Sequence, residues 1–196
     1  MYLIVGLGNP GREYEGTRHN VGCEAILLWG RSLGVRLSDH RFQSRCALAQ
    51  FHHEEIALLC PMTFMNLSGR SVKACADFYG LELEKILVLH DDLDLPTGKV
   101  KVVRDGGAGG HKGVSSVIEH LGSRQFGRVK MGIGRPRFGE TVEDYVLSPF
   151  YSDERVIIDQ ALLVAGRACE LVVTEGVGSA MNHINCQNLA HKEERD

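Results

Sequence analysis

The sequence predicts one α/β domain built on a mixed β-sheet. Three observations carry that expectation. Two short, wholly apolar runs, YLIVGL (residues 2–7) and KILVLH (residues 85–90), read as strands buried on both faces. Amphipathic segments of helical period alternate with the strand-like runs. No linker, repeat or low-complexity stretch divides the 196 residues, so residues 1–196 read as one domain.

Taken in order, residues 2–7 form the first strand and end in glycines. Residues 20–34 read as a helix with Val21, Ala25, Ile26 and Leu28 inside and Gly34 as its stop. Residues 45–52 and 55–60 pair as strands across an HHEE turn. Residues 68–79 are helical and closed by Gly80. The buried strand 85–90 follows, then an alternating edge or hairpin strand over 99–104. A glycine-rich loop opens a helix over 113–121, and residues 128–133 form a further strand. A long amphipathic helix spans 153–174, with Ser152 or Asp153 as N-cap and Gly176 as its end. A short helix over 180–189 completes the chain.

Composition excludes several classes. Hydrophobic residues are 43% and charged residues 24%, ordinary values for a globular chain. No apolar run reaches the roughly 18 residues of a membrane span, and the start MYLIVGLGNPG lacks the basic region of a signal peptide. The six cysteines show no CxxC spacing and read as reduced core residues of a cytosolic protein. The net charge of −3 conceals a basic block: residues 99–137 hold nine Lys/Arg against Asp105 and Glu119. Such a block could meet a polyanion with one face, but on charge alone solvated strand and helix faces are the better reading.

Four motifs could carry chemistry. GLGNPG (residues 6–11) matches a dinucleotide fingerprint in form, but Pro10 and REYEGTRHN do not open the helix a pyrophosphate needs. The alternatives are a tight turn using glycines for positive φ, or a turn that presents Asn9 at the sheet's carboxyl edge. TRHN (residues 17–20) places His19 just before a helix, and HDDLDLPTG (residues 90–98) offers it a carboxylate from Asp91 or Asp92. A carboxylate on one imidazole nitrogen leaves the other as a base; Asp91, Asp92 and Asp94 could instead hold Mg²⁺. PMTFMNLSG (residues 61–69) presents Phe64 and Asn66, with Asn66 or Ser68 as a possible helix cap. DGGAGGHKG (residues 105–113) offers backbone N–H groups to an anion, with His111 and Lys112 adding positive charge.

Together and in this order, these motifs resemble the bacterial-type peptidyl-tRNA hydrolase family. The likeness runs through IVGLGNPG, EYEGTRHNVG, PMTFMNLSG, ILVLHDDLDLPTGKVKVVRDGGAGGHKG, KMGIGRP, DYVLSPF and AMNHIN. It implies one α/β domain with a twisted mixed sheet flanked by helices. It also implies hydrolysis of the ester between a peptide and the 3′ ribose of tRNA, with no metal or organic cofactor. The implied partner is peptidyl-tRNA, held by its CCA end and acceptor stem, with no membrane, by a cytoplasmic monomer. In this reading His19 is the water-activating base, Asp91 supports it, and Asn9 helps distinguish blocked from free aminoacyl-tRNA. Tyr14, Phe64 and Asn66 contact the tRNA end or its attached residue, and His111 and Lys112 line the binding site. Lys112 departs from the family pattern, which has HNG where this chain has HKG. Asn66 or Asn9 would donate to the oxyanion, and the basic block would hold the tRNA backbone. Two readings compete: a non-catalytic RNA-binding relative of the intron-splicing type, and a nucleotide-dependent oxidoreductase using GLGNPG.

Overall fold

The parallel strands β1 (Tyr2–Gly6), β4 (Glu54–Pro61), β5 (Ile86–Asp92) and β7 (Gly127–Gly132) form the centre of a seven-stranded sheet. Two antiparallel strands, β2 (Asp39–Arg41) and β3 (Ser44–Phe51), extend one side, and β6 (Val100–Val103) closes the other, giving the order β2-β3-β4-β1-β5-β7-β6. The computed structural model describes residues 1–190; residues 191–196 of the expected domain lie outside the described part.

Helices cover both faces. The helices α1 (Val21–Ser32), α5 (Arg155–Glu175) and α6 (Val177–Ala190) pack on one face, and α2 (Ser68–Tyr79) and α3 (Lys112–Leu121) on the other. The apolar runs need both layers because successive side chains alternate in direction. Tyr2 and Ile4 join the α1/α5/α6 side, while Leu3, Val5 and Leu7 join the α2/α3 side. Leu87 and Leu89 divide from Ile86 and Val88 in the same way. Each of these leucine, isoleucine and valine side chains contributes roughly 1.5–3 kcal/mol when removed from water.

Most expected elements are present, with small shifts of their ends. Trp29, not Leu28, supplies the large buried residue at the end of α1. Strand β2 and the short helix α4 (Val142–Val146) were not anticipated. Strand β2 is three exposed residues without apolar alternation, turned by Phe42 and Gln43 at φ 53° and 52°. The N-cap of α5 is Glu154, not Ser152 or Asp153. Its carboxylate caps no helix; it accepts from Arg18, Arg137 and the Tyr151 N–H. The cysteines are only partly core: Cys60, Cys75 and Cys169 are buried, Cys23 and Cys46 half-buried, and Cys186 exposed.

The free edge of the sheet is closed by a side chain. Asn185 on α6 accepts from the Val102 N–H at 2.8 Å and donates to the Val102 carbonyl at 3.0 Å. A carboxamide thus stands in for a neighbouring strand on β6, which accounts for the asparagine that ends AMNHIN. Among the described residues, no helix is long and apolar enough to cross a membrane.

Candidate active site

The site lies at the carboxyl edge of the parallel strands, and backbone contacts place it. A Cβ at Gly6 would strike the Gly22 carbonyl, and one at Gly22 would strike the Leu89 carbonyl. The start of α1 therefore rests directly on β1 and β5, with a glycine at each contact. Gly6 and Gly8 do not have positive φ, so close approach rather than turn conformation explains them; of that motif only Gly11 is left-handed, at φ 115°. The motif leads into a 3-10 turn over Arg12–Tyr14 and not a helix. Gly8 lies against Asn20 and Cys23, so the turn packs directly on the start of α1.

This docking brings the Arg18–Asn20 turn over the end of β5. His19 Nδ1 lies 2.9 Å from Asp91 Oδ1, and the same oxygen is 2.9 Å from His111 Nε2. The two other aspartates have partners of their own: Asp92 pairs with Lys130 at 2.6 Å and accepts from the Asp94 N–H, and Asp94 pairs with Arg135. Those two aspartates are committed to cations and a turn. Burial alone would raise the Asp91 carboxyl. Electrostatic attraction to His111 and His19 and the hydrogen bonds these rings donate outweigh it and hold that carboxyl well below the usual range.

The protons can be assigned from the partners. His111 Nδ1 accepts from the N–H groups of Gly113 and Val114 and so carries no proton. His111 is therefore a neutral N-cap of α3 that donates from Nε2 to Asp91. The expectation that it adds positive charge to an anion cradle is corrected: it occupies the helix terminus an anion would need. Asp91 in turn accepts from His19 Nδ1, which leaves His19 Nε2 as the open, basic nitrogen.

His19, Asp91 and His111 are also the one His/Cys/Asp/Glu cluster among the described residues with metal-binding proximity, their ligand atoms all within 4.8 Å. A cation there would have to displace both ring protons that Asp91 accepts. The observed distances are those of a hydrogen-bonded set.

A cleft of about 580 Å³ opens onto this set, lined by Asn9, His19, Phe64, Asn66, Asp91, His111 and Lys112, with Leu93, Val142, Val146 and Leu147 as apolar wall. Of the residues expected in the site, only Tyr14 lies outside the cleft; it is half-buried in the turn before His19. Asn9 is clamped at three points. Its N–H and carbonyl bond the Asn20 carboxamide at 2.8 and 3.0 Å, and its own Oδ1 accepts from the Met65 N–H at 2.8 Å. The carboxamide oxygen being taken, Nδ2 is the end of Asn9 left for a ligand. Asn66 and Phe64 are exposed on the cleft wall. Neither Asn66 nor Ser68 caps α2, whose N-cap is Leu67; Ser68 is buried and donates to the Met65 carbonyl at 2.9 Å, out of reach of a substrate.

Lys112 stands on the rim with its Nζ 3.5 Å from Glu143 of α4, both side chains exposed. The basic block is less available than its charge suggests. Arg128 is buried and donates to the Gly107 carbonyl, and Lys130, Arg135 and Arg137 are all in ion pairs. Lys101, Arg104 and Arg124 are the exposed remainder in strands and turns.

Arg18, Glu154, Asn20 and His90 are parts of the site that sequence reasoning missed. The Arg18 guanidinium is fully buried, 2.8 Å from Glu154 and 4.0 and 4.3 Å from the centroids of Tyr145 and Tyr151. It ties the His19 turn to residues 148–154. The segments that carry it, TRHN and DYVLSPF, stand far apart in the sequence, and nothing in either shows that they meet.

An imidazole held by a buried carboxylate at the carboxyl edge of a parallel sheet, in a cleft also lined by the carboxamide residues Asn9 and Asn66, is the kind of site α/β hydrolases carry. The family model described as Peptidyl-tRNA hydrolase matches residues 3–194. The peptidyl-tRNA hydrolase of Geobacillus thermodenitrificans is 45% identical over 185 residues, covering 94% of this chain and all of that one. That of Clostridium botulinum is 43% identical over 94% of this chain and 97% of its own length. The crystal structure of peptidyl-tRNA hydrolase from Acinetobacter baumannii superposes with a TM-score of 0.88 at 38% identity over 94% of each chain. The chain belongs to the peptidyl-tRNA hydrolase family.

Proposed function

We propose that this chain hydrolyses the ester between a peptide and the 3′ ribose of tRNA, with His19 as general base. The observation that carries the reading is the 2.9 Å contact of His19 Nδ1 with Asp91 at the floor of the cleft, which leaves Nε2 open. Nε2 takes a proton from water as the water oxygen bonds the carbonyl carbon. The resulting imidazolium is stabilised by the Asp91 carboxylate. It returns the proton to the ribose oxygen as the ester C–O bond breaks. Asn66 donates to the transient oxyanion, and Phe64 with the apolar wall receives the acyl side chain.

The orientation of Asn9 supplies discrimination. Its Nδ2 is a donor, suited to the carbonyl of a peptide or other N-acyl group. A free aminoacyl ester presents an ammonium there, donor against donor, and leaves Asn9 unsatisfied. The CCA end enters the cleft, Tyr14 meets it outside, and Lys101, Arg104 and Arg124 meet acceptor-stem phosphates. We place this activity in a cytoplasmic monomer. The test compares N-acetyl-aminoacyl-tRNA with aminoacyl-tRNA at one salt concentration. Turnover of the blocked form with a kcat/KM at least about 10²-fold higher supports the reading. RNA binding without turnover would favour the non-catalytic relative instead.

A further inference from the structure

Two thiols that the hydrolytic chemistry does not use lie directly behind the site. Cys23 occupies the first turn of α1, where the helix N-terminus favours a thiolate, and it is half-buried rather than sealed. Cys60 lies at the end of β4, fully buried, with its Sγ 3.8 Å from the Cys23 carbonyl. The Cys60 thiol thus rests against the Cys23 backbone, and Arg45, on the β3 residue opposite Cys60, brings a guanidinium charge to bear on both thiols. The Arg45 Nε is buried without a partner. A half-buried cysteine near a cation and at a helix N-terminus, with a second thiol against its backbone, suits an attacking and a resolving cysteine.

Both cysteines connect to the catalytic elements. Cys23 is three residues from Asn20, which clamps Asn9, and its N–H bonds the Leu7 carbonyl at 3.0 Å. Gly8 packs against its Cβ. Cys60 precedes the segment that carries Phe64, Met65 and Asn66, and the Met65 N–H is the third hold on Asn9. A bond between the two sulfurs would tie the start of α1 to the end of β4 and draw on all three clamps of Asn9.

We propose that Cys23 and Cys60 form a reversible, peroxide-driven disulfide that lowers the activity of the site. In the first step the Cys23 thiolate attacks one oxygen of a hydroperoxide. The O–O bond breaks, hydroxide leaves and takes up a proton as water, and Cys23 becomes a sulfenic acid. In the second step the Cys60 sulfur attacks the Cys23 sulfur, the S–O bond breaks, and a second water departs. One peroxide is reduced and two thiols are oxidised. The neighbouring Cys60 thiol, and after it the charge of Arg45, hold the Cys23 thiol below the usual thiol value despite burial, whereas burial raises Cys60. Exposure distinguishes attacker from resolver, since Cys23 is half-buried and Cys60 fully buried.

The test uses the full chain with Cys186→Ser, which removes the exposed thiol. The protein is treated with hydrogen peroxide, alkylated and digested, and assayed in parallel for hydrolysis of N-acetyl-aminoacyl-tRNA. The expected result is loss of two hydrogens from the intact mass, a linked Cys23–Cys60 peptide, and turnover reduced about tenfold or more and restored by dithiothreitol. Cys60→Ser should gain one oxygen at Cys23, trapped by dimedone, and Cys23→Ser should gain none. Cys23 and Cys60 both remaining alkylatable after peroxide would overturn the site. A mapped disulfide with unchanged turnover would overturn its effect on activity. The mass readout does not depend on tRNA, so failure of the hydrolase reading is seen separately.

Discussion

Replacing Asp91 with asparagine tests the coupling at the heart of the site. The substitution keeps shape and removes charge. When His19 accepts a proton from water it becomes a cation whose charge centre is roughly 4 Å from that of Asp91. At an effective dielectric near 20, such a pair interacts by about 4 kcal/mol, or about 10³ in rate. A proton only partly transferred in the transition state realises part of this, so kcat should fall about 10²- to 10³-fold. The carboxamide adds a second effect. It presents a donor that can bond His19 Nδ1, moving the ring proton to Nε2 and removing the base. The assay is single-turnover hydrolysis of N-acetyl-aminoacyl-tRNA alongside equilibrium binding of uncharged tRNA and circular dichroism. Binding and fold should be unchanged. Asp92→Asn, which loses only the Lys130 pair, should stay within a few-fold of the parent. An Asp91→Asn loss smaller than tenfold, or a larger loss at Asp92, would refute the assignment.

Three further outcomes are expected. Burial pushes His90 down to about 3, so it stays neutral in the folded chain while the unfolded chain takes up that proton below about 6.5. The unfolded state then binds more protons, and stability falls as pH drops from about 7 to 5 by about 2 kcal/mol; urea unfolding of His90→Gln should lack this part of the slope, and an unchanged slope would contradict it. Gly22→Ala drives a methyl into the Leu89 carbonyl and should cost about 1–3 kcal/mol together with a loss of kcat as the His19 turn shifts, whereas a neutral result would show that α1 can back away. Lys112→Asn should flatten the dependence of log K for tRNA on log salt by about 0.7–0.9 while leaving kcat nearly unchanged; its exposed pair with Glu143 is weak enough to yield to a phosphate, and a fixed slope would assign it to the rim alone.

The strands were legible because YLIVGL and KILVLH are buried on both faces and can be little else. The ordered motifs made the site legible in the same way, and seven of the eight expected residues line one cleft. What the chain did not reveal depends on contacts without a local pattern. Gly6 looks like a turn glycine and Gly22 gives no signal within the helical segment 20–34, yet Gly6 meets the Gly22 carbonyl and Gly22 the Leu89 carbonyl, contacts that only packing creates. His111 looked like a charge because its sequence neighbours are glycines and lysine; its cap and its bond to Asp91 fix it as neutral. Arg18 is an ordinary polar residue in TRHN until residues 148–154 fold around it. The basic block is less free than its composition suggests because partners such as Asp94 and Asp153 lie outside residues 99–137.

The central claim is that His19 Nε2 takes the proton of the attacking water. Its most direct test is His19→Ala, with kcat on N-acetyl-aminoacyl-tRNA and affinity for tRNA measured on the same folded protein. The account predicts a fall in kcat of about 10² or more with tRNA affinity retained, because the base acts in the transition state and the phosphate contacts lie elsewhere. Turnover near the parent value would contradict it.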